Sequence, residues 1–291
     1  MSAATVTDPA GPPAGLPAEI AAGNDRVGLA DTLSQTMTLA WRATMKMRRS
    51  LEVMFDVTIQ PLIFTGMFAY IFGGAISGDV GSYLPLIIPG LIGQTVLTAC
   101  VATGVQLRTD MDTGVFDRFK VLPISRIAPL AGPMVADLLR YFIASVLTFA
   151  VGIAIGYRPG GGVFGVAGAV LLAMLAGWSL AWIFTLFGIV GRNAAGVQGV
   201  SLLVMFPLTF LSNAFAPSEA MGTVLRAIAE WNPISALVQA VRELWGNTGP
   251  APADAHLPMQ HPVLFTILWT VAITAVVAPL ALKVFRNRTL Q

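Results

Sequence analysis

Residues 108–126 read RTDMDTGVFDRFKVLPISR, the only long, charge-dense interruption between two strongly apolar stretches of this chain. It carries Arg108, Asp110, Asp112, Asp117, Arg118, Lys120 and Arg126. Phe116 and Phe119 are three residues apart, so a helix here sets both on one face and charges on the other. Such an element can lie at a membrane surface and press on a soluble partner. Pro123 ends that helix and turns the chain toward the next apolar stretch. A merely solvated inner loop of a polytopic membrane protein is the other reading of the same charges.

The composition around the loop decides the class. Only 11% of the 291 residues are charged, against 55% hydrophobic, with a mean hydropathy of +0.74. Soluble domains carry about 25% charged residues, so this is a membrane protein. The net charge of +2 is too small to imply a polyanionic partner such as nucleic acid. A single cysteine, Cys100, lies within an apolar stretch and leaves no partner for an intrachain disulfide.

Working outward, six apolar spans are expected at about 53–72, 84–107, 133–157, 163–190, 194–215 and 262–285, each long enough for roughly 30 Å of hydrocarbon. Thirteen of the 17 Lys and Arg residues fall on one side of this arrangement: five in 26–49, four in 108–126, Arg192, and three near the C-terminus. Arg158, Arg226 and Arg242 fall on the other, and Arg140 lies inside the third span. Positive charge collects on the cytoplasmic side, which places both termini and the 108–126 loop there.

Residues 1–30 are rich in Ala, Pro and Gly, show no apolar core of signal-peptide length, and read as a disordered cytoplasmic tail. Residues 31–291 form the transmembrane domain. Leu33, Met37, Trp41 and Met45 recur at four-residue spacing behind Asp31, a candidate N-cap. They describe either an amphipathic helix lying in the membrane interface or a run-in to the first span. Asp137 and Arg140 are three apart and expected to pair on one helix face. Gly152 and Gly156 offer a weak helix-packing signal.

Residues 213–247 read NAFAPSEAMGTVLRAIAEWNPISALVQAVRELWGN. Ser218 is expected to cap a short helix carrying Met221, Val224, Leu225 and Ile228. Asn232-Pro233 then opens a second, with Ile234, Leu237, Val238, Val241 and Leu244 as its apolar stripe. Neither is long enough to span, so both should dip into the outer leaflet or cap the bundle.

The motifs of soluble catalysis are missing. No Gly-Lys pair occurs, so there is no phosphate-binding loop, and neither HExxH nor GxSxG is present. His256 and His261 read as solvated rather than as metal ligands. Asp110, Asp112 and Asp117 can be read as a divalent-metal site or as a solvated, helix-capping acidic loop.

Taken together, the interface helix, FDRFKVLPISR (116–126) and SNAFAPSEAM with AEWNPISALVQAVREL resemble the ABC-2 type permeases, most closely the daunorubicin-resistance-type drug exporter permeases. The resemblance covers the chain from about Leu33 onward, and the order and spacing of its parts carry it. It implies an all-α membrane protein: six transmembrane helices, an N-terminal amphipathic interface helix, a cytoplasmic coupling helix, and an outer re-entrant helical hairpin between spans five and six.

It also implies a transport subunit of the bacterial plasma membrane rather than an enzyme. The subunit would have no cofactor of its own, ATP and Mg residing on a partner ATPase present in two copies. A second permease chain, as homo- or heterodimer, membrane lipid, and a hydrophobic or amphipathic drug-like substrate complete the partners. The coupling residues would be Phe116, Asp117, Arg118, Phe119 and Lys120, with Pro123 and Arg126 in the following turn. Spans two and five would border the pathway through Gln94, Thr95 and Thr98 and through Met205, Phe206 and Phe210, with Trp178 and Trp182 as further apolar lining. Lipid contact is the alternative for Phe206 and Phe210. Export of a lipid or glycan keeps the same fold. A membrane enzyme using the three aspartates, or an ion-coupled transporter with buried carboxylates, are the rivals outside it.

Overall fold

The third helix of the bundle packs against five of the other helices and carries much of the buried core. The structure, a computed structural model, describes residues 28–77, 80–116, 124–125, 127–246 and 254–289. Among these, all regular structure is helical: α1 (Leu29–Arg49), α2 (Leu51–Ser77), α3 (Val80–Asp112), α4 (Ala128–Ile155), α5 (Gly162–Val190), α6 (Ala194–Phe210), α7 (Thr223–Trp231), α8 (Pro233–Leu244), α9 (Leu257–Gln260) and α10 (Pro262–Thr289). A single 3-10 turn covers Ser218–Ala220.

Helix α3 buries Ile87, Ile88, Leu91, Ile92, Val96 and Leu97, and it packs against α2, α4, α5, α6 and α8. The α3–α5 seam is the most extensive. A Cβ on Gly104 would strike the Phe184 carbonyl, and one on Gly188 would strike the Gly104 carbonyl. Farther along the seam the Cys100 thiol donates to the Gly177 carbonyl at 3.2 Å. Small residues let backbones approach where no hydrophobic force between helices exists in lipid. Helix α10 covers α5 and α8 from outside, and α1 covers α4.

By length and hydropathy, four helices among the described residues can cross a membrane: Gly81–Asp112, Ala128–Ile155, Gly162–Val190 and Pro262–Arg288. The expected first span is helical over Leu51–Ser77, with Thr58–Ile71 as an apolar stretch within it, and the expected fifth is the shorter helix Ala194–Phe210. The expected fifth span ran to residue 215, but the helix stops at Phe210. Pro207 has no N–H to give to the Leu203 carbonyl, and Leu211, whose N–H makes the last helical bond on the Pro207 carbonyl at 2.9 Å, already departs from helical angles (φ −91°, ψ 39°).

The N-terminal helix breaks from the first span. Ser50 is extended (φ −89°, ψ 109°) and closes α1 through its N–H on the Lys46 and Met47 carbonyls. Leu33, Met37 and Trp41 face outward, while Ala40 and Met47 are buried. Asp31 is not the N-cap. Gly28 holds that position with no side-chain bond, and Asp31 lies in the first turn, where its charge favours the helix dipole. Gly152 packs on Ile88, but Gly156 instead ends α4 in a left-handed conformation (φ 117°), so the two do not form one packing face.

The hairpin residues depart from expectation at their first cap. Gly222, not Ser218, precedes α7, and Ser218 Oγ donates instead to Glu230 Oε1 at 3.1 Å. Asn232 caps α8 as expected, accepting from the Ile234 N–H at 2.9 Å. Ile234, Leu237, Val238 and Val241 are all essentially inaccessible, so the stripe is packed in protein.

Candidate functional site

Gln94 and Thr98 sit one turn apart on α3 and, with Thr95, form the polar side of a narrow groove of about 20 Å³. Gln60, Pro61 and Phe64 of α2 and Arg140 of α4 complete its walls. The two threonines satisfy themselves: Thr95 Oγ1 donates to the Ile92 carbonyl at 3.1 Å and Thr98 Oγ1 to the Gln94 carbonyl at 3.0 Å. Gln94 Oε1 has no donor and is shielded from solvent.

Met205 of α6 is buried with its sulfur 3.8 Å from Thr98 Oγ1, which joins the α3 and α6 residues expected to border one path. Phe206 and Phe210 lie on the outer side of α6, both about half exposed, with ring centroids 5.9 Å apart. They begin a ladder of stacked rings that the sequence did not reveal. Phe210 stacks on Phe215 at 5.6 Å, Phe215 on Phe68 at 5.1 Å, and Phe68 on Phe64 at 5.8 Å. The ladder leads from the exposed face of α6 to the groove wall. It offers flat, polarizable surface with few charges, suited to an apolar or aromatic solute. Trp178 and Trp182, by contrast, pack edge to face at 6.0 Å on α5 and do not line the groove.

The 108–126 end is tied from four directions. Lys46 of α1 meets Asp110 at 2.7 Å, and Gln106 donates to the same carboxylate at 2.9 Å. Arg108 pairs with Asp112 and also donates to the Gly191 carbonyl at 3.0 Å. Arg288 of α10 donates to the Val190 carbonyl at 3.1 Å, so two arginines satisfy the open carbonyl end of α5. Near the far end of the loop, the Ser125 N–H donates to Gln35 of α1 at 2.8 Å. Phe116 is buried and packs edge to face on Phe285 of α10 at 5.5 Å. Asp117, Arg118, Phe119, Lys120, Pro123 and Arg126 lie outside the described residues. Asp110 and Asp112 are each held by a different cation, and no three of His, Cys, Asp and Glu converge among the described residues.

A second polar cluster lies around α7. Glu230 is inaccessible to solvent and receives Arg226 Nε at 2.6 Å, Ser218 Oγ at 3.1 Å, and the His256 N–H at 2.7 Å, with His256 Nδ1 also at 2.7 Å. Arg226 reaches on to Asp254 at 2.8 Å. Burial pushes Glu230 up, but Arg226, His256 and Ser218 together outweigh it and hold the carboxyl below its ordinary value. A carboxyl depressed on folding contributes stability at neutral pH, lost as pH falls through its folded value. Thermal unfolding should therefore show Tm falling below about pH 4. Glu230→Gln should start lower at pH 7, by about 2–4 °C, and respond less to acid. An acid response identical in the two proteins would refute this role.

Sequence reasoning missed two anchors. Asn232 Nδ2 donates to the Leu208 and Leu211 carbonyls, both at 2.9 Å, fastening the end of α6 to the start of α8. Arg242 is buried and donates to the Leu86 and Asn213 carbonyls at 2.9 and 2.8 Å. Its signal was present: Ile234, Val238 and Arg242 follow at four-residue spacing, so the arginine continues the buried stripe.

The family described as ABC-2 type transporter matches residues 34–245. The chain is 36% identical over 269 residues, 92% of each chain, to the daunorubicin resistance ABC transporter permease protein DrrB1 of Streptomyces coeruleorubidus. It is 28% identical to the doxorubicin resistance ABC transporter permease protein DrrB of Mycobacterium tuberculosis, over 71% of this chain and 70% of that one. The inner membrane transport permease YadH of Escherichia coli is 23% identical over 68% of this chain and 78% of its own. With the family match covering well over half its length, the chain belongs to the ABC-2 type transporter family.

Proposed function

We propose that this chain is the transmembrane permease subunit of an ATP-driven exporter of hydrophobic or amphipathic drug-like compounds. The observation that carries this is the 36% identity along 92% of both chains with a permease named for daunorubicin resistance. The ring ladder and the weakly charged groove support the solute class.

In this reading α2, α3, α4, α5, α6 and α10 are the six crossings in a bacterial plasma membrane, with both termini cytoplasmic. Helices α7 and α8 are a re-entrant hairpin on the outer side. Two copies of a separate ATPase hydrolyse ATP, and a second permease chain, identical or related, completes the path between Gln94, Thr95 and Thr98 and Met205, Phe206 and Phe210. The ATPase presses on residues 116–120 and the turn through Pro123 and Arg126. Phe116 transmits that load to α10 through Phe285.

Reconstitution tests the proposal. Vesicles holding this chain with its ATPase should accumulate an amphipathic dye such as rhodamine only when ATP is supplied. Phe116→Ala should keep its place in the membrane and lose severalfold of permease-stimulated ATP hydrolysis, since the ring contact with Phe285 goes with the side chain. Uphill dye movement by the chain without an ATPase would overturn the proposal.

A further inference from the structure

Arg140 lies seven residues into the third expected span, about 10 Å along the helix at 1.5 Å per residue. Its side chain is 9% exposed, yet Nε and Nη1 have no hydrogen-bond acceptor among the described residues. Asp137 stands at 3.4 Å from Nη1, an ion pair too long to serve as a well-made hydrogen bond. Asp137 is engaged elsewhere, accepting from Thr103 Oγ1 at 2.6 Å. A guanidinium in a membrane span is costly even when neutralised, and one left with open N–H groups costs more.

Two cavities share this residue as a wall. One is the groove with Gln94 and Phe64. The other, of about 110 Å³, opens toward the 108–126 end beside Lys46, Thr103 and Asp137. Apolar surface from Pro61, Phe64 and Ala99 lines the groove. Asp137 balances the charge locally, so the site has no net pull on a cation. What it lacks is an acceptor for two charged N–H donors.

We propose that Arg140 anchors an acceptor oxygen, an ionised acid or a strongly polarised carbonyl, on an amphipathic ligand whose head group enters the narrow α2–α3 groove while its apolar body lies outside, against the Phe64 side of the groove mouth. The oxygen can belong to a solute or to the phosphate of a membrane lipid, and both present the same chemistry. Only the solute source rests on the permease reading above; binding itself needs no transport.

The test uses the full chain in phosphatidylcholine nanodiscs, with empty discs subtracted. Pyrenebutyrate and pyrenebutyl-trimethylammonium, which share a body and differ in head group, are titrated by fluorescence. The wild-type chain should bind the carboxylate at least about tenfold more tightly, the worth of one charged hydrogen bond. The charge-neutral pair Asp137→Asn with Arg140→Gln should erase that preference while eluting as a single species. Equal binding of the two probes by the wild-type chain, or an unchanged preference in the double variant, overturns the proposal. The wild-type comparison stands if the double variant does not insert. Adding phosphatidylglycerol separates the sources: displacement of pyrenebutyrate assigns the oxygen to lipid, and undiminished binding assigns it to solute. Head-group preference without ATP-driven dye uptake would sink the exporter and leave this site intact.

Discussion

Gly104→Leu is expected to unfold the centre of the bundle. The new side chain would begin inside the Phe184 carbonyl, and that contact is with backbone on a neighbouring helix, not with the tip of a flexible side chain. Gly188 faces back onto the Gly104 carbonyl, so neither helix can retreat without opening the seam along α3 and α5. Overpacking in a well-packed core costs about 1–3 kcal/mol, and a backbone clash belongs at or above the upper end. In detergent, Tm should fall by about 10 °C, with most material in the void volume on size exclusion. Gly66→Ala in α2 is the control: nothing lies within 4 Å of its added carbon, and alanine is the better helix former by about 1 kcal/mol. A Gly104→Leu protein that melts with the wild type would show that α3 and α5 are not in contact there.

Arg242→Met should produce the second large loss. The guanidinium holds the Leu86 carbonyl of α3 and the Asn213 carbonyl of the chain leaving α6, so one side chain ties three segments. Methionine fills comparable space but takes the charged donor away from both carbonyls. Losing a buried hydrogen bond of that kind costs about 1–3 kcal/mol, so the expected loss is about 2–5 kcal/mol. Tm should drop by about 5–10 °C. Arg242→Lys, which can reach one of the two carbonyls, should recover part of this. Limited proteolysis between residues 211 and 223 should quicken in Arg242→Met, because the loop would lose its hold on α3. Wild-type cleavage in that variant would assign the arginine no tethering role.

What was legible in the sequence follows from distance along the chain. Asn232-Pro233 and the stripe behind it are local signals, and they placed α8 and its buried face correctly. The break before α2 was left between two readings, because the side chains around Ser50 do not announce an extended turn. Ser218 misled as a cap because α7 opens later, after Gly222, and the serine hydroxyl instead donates to Glu230, a full helix away in sequence. Phe116 was assigned to a helix face, but nothing near it points to Phe285 near the far end of the chain. The ring ladder joins α6, the loop after it and α2, so no window of sequence contains it. Arg140 was visible as one half of a pair. That the pair leaves donors open is a matter of tenths of an ångström.

The lone thiol of Cys100 lies wholly inside the α3–α5 seam and is spoken for by the Gly177 carbonyl. Maleimides and methanethiosulfonates should pass the native chain by. Single cysteines placed on the ring ladder or at the groove mouth can then be labelled or bridged to a second copy directly, without first stripping the natural residue from the chain.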